Sequence, residues 1–241
     1  MSRVDVEAYL EQFCADAKIV RCFPQKILWL SGAPAAGKGT NTRYMIQQNH
    51  LCRTPLVASS LLKTPEMLAK INRGLLLDDR TVVEAVFGQL QKPDYRQGLL
   101  VDGFPRREGQ AYSTEWLYQT MQQQGLHPQF SVVVLLVDEK ESIHRQLQRG
   151  QKAKIYNERI KAGDSRTKRE IRMTDLDPDI ARHRYRTFME ETYPVLNSLK
   201  GKMPFVTIDT AGDFPEVRMR VINAMHQLKA MQSELDGSVF K

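Results

Sequence analysis

Cysteine is scarce in this 241-residue chain, and the three present, Cys14, Cys22 and Cys52, are scattered. They form neither an even disulfide set nor a Cys-x-x-Cys metal pair, which fits a reducing compartment, so a cytoplasmic protein is expected. Long apolar runs are also lacking. The longest, Val132 to Val137, falls far short of the ~20 residues a membrane helix requires, so no membrane partner is expected. The first twenty residues carry Asp5, Glu7, Glu11 and Asp16, the wrong charge for a secretory or organellar leader. No internal repeat is visible, and low complexity is limited to Gln122 to Gln124, which excludes solenoid and array architectures.

What is present suits one large domain carrying insertions. Hydrophobic residues make up 41% and charged residues 26%, enough to bury an ordinary core and far from a disordered composition. The net charge of +7 is localised: Ile143 to Arg186 holds thirteen Lys/Arg against six Asp/Glu, and the rest of the chain is balanced. A concentrated positive field suits a polyanion, either nucleic acid or a nucleotide polyphosphate.

Val6, Tyr9, Leu10, Phe13 and Ala17 recur at helical spacing, predicting an amphipathic N-terminal helix within residues 1–25. Short apolar runs follow at Lys26 to Ser31, Leu56 to Ala58, Leu99 to Val101, Val132 to Val137 and Phe205 to Ile208. Helical stretches separate them, near 59–72, 79–91, 109–124, 139–149, 178–200 and 214–232. This alternation predicts an α/β fold with a five-stranded parallel sheet flanked by helices. The unbroken apolar run SVVVLLV fits a strand covered on both faces. Gly150 to Ile171 is polar, basic and aperiodic, and reads as an insertion. Residues 26–232 then form the main domain, with 233–241 as a tail.

The stretch Gly32 to Thr40, GAPAAGKGT, lies between a strand and a helix, the context that gives G-x-x-x-x-G-K its meaning. Glycines allow a tight arch whose N–H groups converge on phosphate, the helix N-terminus adds partial positive charge, and Lys38 adds a full one. Gly39 separates Lys38 from the hydroxyl of Thr40, so a metal would be held less directly. Further on, VDGFPRR at 101–107 places a carboxylate and an arginine at a strand's end. Together the two motifs resemble the adenylate kinase family of P-loop nucleoside monophosphate kinases, and the similarity extends over about residues 26 to 225.

The resemblance implies an enzyme that transfers a phosphoryl group from Mg-ATP to AMP, reversibly, giving two ADP. It implies an ATP site of Gly32, Ala35, Ala36, Gly37, Lys38, Gly39 and Thr40, with Arg145 over the adenine, Arg149 on the phosphates, and Gly212. The implied AMP site comprises Ala58, Lys63, Leu75, Leu76, Leu77, Gly103, Phe104, Pro105, Arg106, Gln110, Arg172 and Arg184. The transfer would be carried by Lys38, Arg106, Arg149, Arg172 and Arg184, and Asp102 would hold Mg2+ through water. A side-chain amide at Gln110 both donates and accepts, as an adenine edge requires. Arg145 and Arg149 are four apart and share one helix face. Arg184 has the Thr192 and Pro194 that follow the family's last arginine. Arg172 is its expected companion, with Arg169 or Arg166 as alternatives.

The chain departs from the family at residues 57–63, where VASSLLK stands for Ser-Thr-Gly-Asp-x-x-Arg. Lys63 would replace a bidentate fork by a point charge. The acceptor-binding arm at 59–79 is short, and the lid at about 150–171 lacks Cys or His at metal spacing, so no zinc is expected. A kinase acting on CMP or UMP therefore stays open as an acceptor alternative. A nucleotide- or nucleic-acid-binding module without transfer activity is the reading from another class. It is disfavoured because no aromatic stacking platform accompanies the arginines. The expected partners are ATP, ADP and AMP, without nucleic acid, and a monomer is expected.

Overall fold

Strand-forming residues lie where the alternation places them. A computed structural model describes residues 3–14, 20–73, 75–160, 167–169 and 171–238. Among these, the strands are β1 (Lys26–Gly32), β2 (Leu56–Val57), β3 (Leu99–Asp102), β4 (Gln129–Leu136) and β5 (Phe205–Asp209). They form one five-stranded sheet in the order β2-β3-β1-β4-β5. Every pairing is parallel, with Trp29 opposite Val101 on one side and Val132 on the other. Chain connections leave β1 towards one edge and later cross to the other, so a crevice opens at the carboxyl ends of β1, β3 and β4.

The helices are α1 (Arg3–Cys14), α2 (Lys38–Gln48), α3 (Pro65–Asn72), α4 (Asp79–Leu90), α5 (Glu108–Gln123), α6 (Glu139–Glu158), α7 (Pro178–Thr187), α8 (Tyr193–Asn197) and α9 (Phe214–Ser238). The core runs through the sheet: Trp29, Leu30, Leu99, Leu100, Val132 and Val133 are fully buried. Trp29 meets Phe104 at 5.5 Å and Phe130 at 6.0 Å between ring centroids. Val6 and Leu10 of α1 are buried against α4 and α5, while Ala17 lies outside the described residues.

Among the described residues, the helix expected near 59–72 begins only at Pro65, after a tight turn at Ala58–Leu61, and helix ends differ from expectation in three further places. First, α6 does not stop at Gly150 but continues to Glu158, because Lys152, Ala153, Lys154 and Ile155 sustain a helix. Gly150 serves close packing: a side chain there would run into the carbonyl of Asp175. The helix thus includes the first part of the expected lid, whose residues 161–166 and 170 lie outside the described residues. Second, the expected helix at 178–200 contains a wide turn at Phe188–Thr192, where the N–H of Tyr193 reaches back five residues to Phe188. Pro194 has no N–H and crowds the preceding turn, and widening the helix relieves it. Third, α9 extends through 233–238, so the expected tail is helical up to the last described residue.

Candidate active site

The loop from β1 to α2 lines the crevice with Gly32, Pro34 and Lys38. Gly37 caps α2 in a left-handed conformation, φ 78°, and the first N–H groups of that helix have no intrahelical acceptors. Lys38 turns back over its own loop and donates to the carbonyls of Gly32 at 2.7 Å and Ala33 at 3.0 Å. Ala35 adopts φ 55° in the arch and Ala36 is fully buried beneath it. Gly39 and Thr40 are exposed at the start of α2.

At the end of β3, Asp102 lines the same cleft as Lys38, together with Gly103, Arg106, Arg172 and Arg184. The Arg106 guanidinium folds back to donate to the carbonyl of Gly103 at 2.8 Å. Gly103 is obligatory here, since its φ is 83° and a Cβ would lie 2.7 Å from Arg106 Nη2. Arg184 donates to Thr174 Oγ1 at 3.3 Å and to Gln146 Oε1 at 3.5 Å.

Gathering cations in one crevice has an electrostatic cost. Burial above all, with Arg106, Arg184 and Arg149 acting the same way and Asp102 opposing them, holds the Lys38 ammonium down at about 7. Burial also lowers Arg184, to about 10, with Arg106, Arg149 and Arg172 adding to the effect. Arg106 is lowered by burial and by Arg172, against the support of Asp102. The protein's own side chains thus leave the cleft short of negative charge, as a site for a polyanion should be.

Arg149 is not among the residues that line the cleft. Its fork is engaged by the buried Asp175, with Nε to Oδ2 at 2.7 Å and Nη2 to Oδ1 at 2.6 Å. Arg145, one turn earlier, is held by Glu141 at 2.6 Å and by the carbonyl of Thr210 at 3.0 Å, next to the turn containing Gly212. Of the two alternatives to Arg172, Arg169 is placed elsewhere: its guanidinium lies 4.2 Å from the Tyr156 ring centre, and its backbone bonds Asn157 at 2.7 and 2.8 Å. Arg166 lies outside the described residues.

On the acceptor side, Ala58, Leu75, Leu76, Leu77 and Gln110 line the cleft. Lys63 does not; it is exposed beyond the turn at Ala58–Leu61. Phe104 requires a correction, because its ring is fully buried in the core against Trp29 and it does not line the cleft. Pro105, buried beside it, is absent from the lining too. The Gln110 amide is already partly used, accepting from Arg106 N at 2.9 Å and donating to Asp79 Oδ1 at 3.0 Å.

Three buried groups were missed by sequence reasoning. Asp79 accepts from Gly109 N at 3.0 Å and pairs with Arg107 at 3.2 Å. Burial raises its carboxyl, an effect that Gly109, Arg107 and Gln110 oppose. Ser142 donates to the carbonyl of Pro34 at 2.7 Å, and Gln146 donates to Ser142 at 3.3 Å. This polar chain joins the phosphate loop to Arg184 through the inside of α6. The signal for Asp79 was the Asp-Asp pair before α4: Asp78 caps the helix, bonding Thr81 N at 2.9 Å, so the second carboxylate is surplus to capping.

No group of three or more His, Cys, Asp or Glu able to hold a metal occurs among the described residues. Among the described residues, a single carboxylate, Asp102, lines the cleft. That fits magnesium, which keeps several waters and takes further ligands from substrate phosphates; a zinc cage would need more donors. Among the described residues, no helix is long and apolar enough to cross a membrane.

A family model described as adenylate kinase matches residues 30–203. The chain is 27% identical over 216 residues to an adenylate kinase of Kosmotoga olearia, covering 83% of this chain and 98% of that protein. It is 29% identical over 207 residues to an adenylate kinase of Parasynechococcus marenigrum, covering 83% and 98%. A solved gluconokinase from Sinorhizobium meliloti superposes with a TM-score of 0.53 at 18% identity, over 90% of this chain and 98% of that one; this likeness is one of fold.

Proposed function

Because this chain belongs to the adenylate kinase family and is a phosphotransferase, we propose that it transfers the γ-phosphoryl group of Mg-ATP to AMP, giving two ADP. The observation that carries this reading is the convergence of Lys38, Arg106, Arg172 and Arg184 on one cleft beside Asp102. These four cations come from three distant parts of the chain. Ala58, Leu75, Leu76, Leu77 and Gln110 line the same cleft.

In this reading the loop from Gly32 to Thr40 cradles the donor phosphates with its N–H groups. On nucleotide binding, Lys38 exchanges its carbonyl partners for phosphate oxygens. Ala35, Ala36, Gly37, Gly39 and Thr40 give the loop its shape, and Arg145 and Gly212 flank the donor base. Arg106 and Arg172 hold the acceptor phosphate. Arg184 reaches the migrating group, and Arg149 joins it with the nitrogen left free by Asp175. Magnesium would supply charge neutralisation on the phosphates, and Asp102 is the residue that would hold it, through water. Phosphoryl transfer asks little covalent chemistry of the protein, so rate follows from alignment and from charge stabilisation by these cations. No side-chain base is needed.

The test is a panel of AMP, CMP, UMP, GMP and IMP with Mg-ATP, scored by ADP and acceptor diphosphate formed. AMP should have the highest kcat/KM, and Lys38→Met should abolish ADP production. Preference for a pyrimidine acceptor would replace AMP in this reading. Salt-sensitive oligonucleotide binding without any transfer would refute it.

A further inference from the structure

Gln110 is a two-faced reader whose orientation must be imposed. An amide offers two N–H donors and two lone pairs. Rotated by half a turn, it presents donor and acceptor in the opposite order. In the AMP reading, on which the role inferred here for Asp79 rests, that order decides which base fits. Adenine shows an amino donor beside a ring-nitrogen acceptor, whereas hypoxanthine shows a carbonyl acceptor beside a ring N–H donor. A free glutamine would serve both.

We infer that Asp79 is a positioning residue that locks the Gln110 amide in the order that reads an amino base and rejects its oxo counterpart. The two partners of the amide leave no ambiguity. Asp79 as a carboxylate only accepts, and takes a Gln110 N–H at 3.0 Å. The backbone N–H of Arg106 only donates, and gives to Gln110 Oε1 at 2.9 Å. Turning the amide over would set N–H against N–H and oxygen against oxygen, in a place where Gln110 is 3% and Asp79 3% exposed. Like partners facing each other out of water are costly. One N–H and one lone pair then remain for the cleft that Gln110 lines.

Asp79 is itself held on several sides. Gly109 N donates to its second oxygen at 3.0 Å, and Arg107 Nε stands 3.2 Å from the first. The junction is tight enough that a Cβ on Gly109 would lie 2.8 Å from Asp79 Oδ2 and 2.9 Å from Val6 Cγ2. Val6, fully buried, belongs to α1, which precedes the stretch matched by the family model. The N-terminal helix thus closes this junction and keeps water from competing for the carboxylate.

The experiment compares AMP with IMP, which differ at the 6-position, as acceptors for the whole chain and for Asp79→Asn. Asparagine keeps the shape but offers one oxygen where Asp79 offers two. If Gly109 N–H takes that oxygen, the NH2 faces Gln110 and favours the turned amide. The AMP/IMP ratio of kcat/KM should fall at least tenfold, through a higher KM for AMP, with the KM for ATP unchanged. Gln110→Ala should lower the ratio as well, and adding Asp79→Asn to it should change the ratio no further. Gly109→Ala displaces Asp79 without removing its charge, and should lower the ratio in the same direction; it decides the matter if Asp79→Asn does not fold. An unchanged ratio in the folded variants, or independent effects of Asp79→Asn and Gln110→Ala, overturns the role of Asp79 while leaving AMP as the acceptor. Failure of the parent to use AMP overturns both readings.

Discussion

Nucleotide binding should take up a proton, and Lys38 should be the group that receives it. Its ammonium is pushed from the ordinary lysine value of 10.5 down to about 7, which at 1.36 kcal/mol per unit is a charging cost of roughly 5 kcal/mol in the nucleotide-free enzyme. A triphosphate supplies the missing negative charge and removes most of that cost, so the bound ammonium should be fully protonated through pH 8. Near pH 8 the free enzyme is then about nine-tenths deprotonated at Lys38, and binding takes up about 0.9 proton; near pH 6 it takes up about 0.1. Phosphate groups titrate near pH 6 and add little at pH 8. Isothermal titration calorimetry with a non-hydrolysable ATP analogue at pH 8, in two buffers of different ionisation enthalpy, measures this directly. Affinity should weaken about tenfold per pH unit above 7. Stability takes the opposite course in the free enzyme. The folded-state value lies below the unfolded one, so the cost is fully present below pH 7 and is relieved as pH rises towards 10.5. Lys38→Met should therefore abolish the proton uptake and raise the thermal midpoint at neutral pH; even about 2 kcal/mol of relief corresponds to roughly 4 to 8 °C. Binding heats that are independent of buffer, or a Lys38→Met variant that melts lower, would refute the reasoning.

The contacts around the cleft and the core set further outcomes. Arg184→Met should lower kcat by roughly 10³ or more with little change in the KM for ATP, and Arg184→Lys should restore only part of the rate, because a point charge lacks the guanidinium fork. Gly150→Ala drives a methyl group into the Asp175 carbonyl; guanidinium denaturation should show a loss of about 1–3 kcal/mol, typical of overpacking, and the pairing of Arg149 with Asp175 should be disturbed in a crystal structure of the variant. Phe104→Ala should cost about 3–5 kcal/mol of stability, with the relative acceptor preferences of the folded enzyme unchanged, since the ring belongs to the core and not to the cleft. Ser142→Ala leaves the buried Pro34 carbonyl without its hydroxyl partner and should cost about 1–3 kcal/mol in the same assay.

The parts of this molecule legible from sequence are those written in local signals. Alternation of short apolar runs with helical stretches predicts five parallel strands, and the sheet contains five, because both the period and the turn residues are properties of neighbouring positions. The phosphate loop and the strand-end aspartate were legible for the same reason, each being a short motif in a defined context. Cleft residues such as Arg172 and Arg184 needed the family pattern, since an arginine on a helix carries no local mark of the wall it will face.

What stayed hidden is what only packing decides. Gly150 looks like a helix breaker until Asp175 arrives against it from 25 residues away. Phe104 sits inside a nucleotide-binding motif, yet the sheet behind it needs an aromatic to meet Trp29. Asp79, Ser142 and Gln146 read as ordinary helix residues, and their partners, Gly109, Pro34 and Arg184, lie 30 or more positions away. A buried polar group is informative only beside the group that satisfies it, which periodicity and composition do not reveal. The acceptor end of the cleft depends most on such pairs. That is why the arm at 59–79 was the least readable part of the site, and why its selectivity should be sought in the orientation of one amide more than in the identity of Lys63.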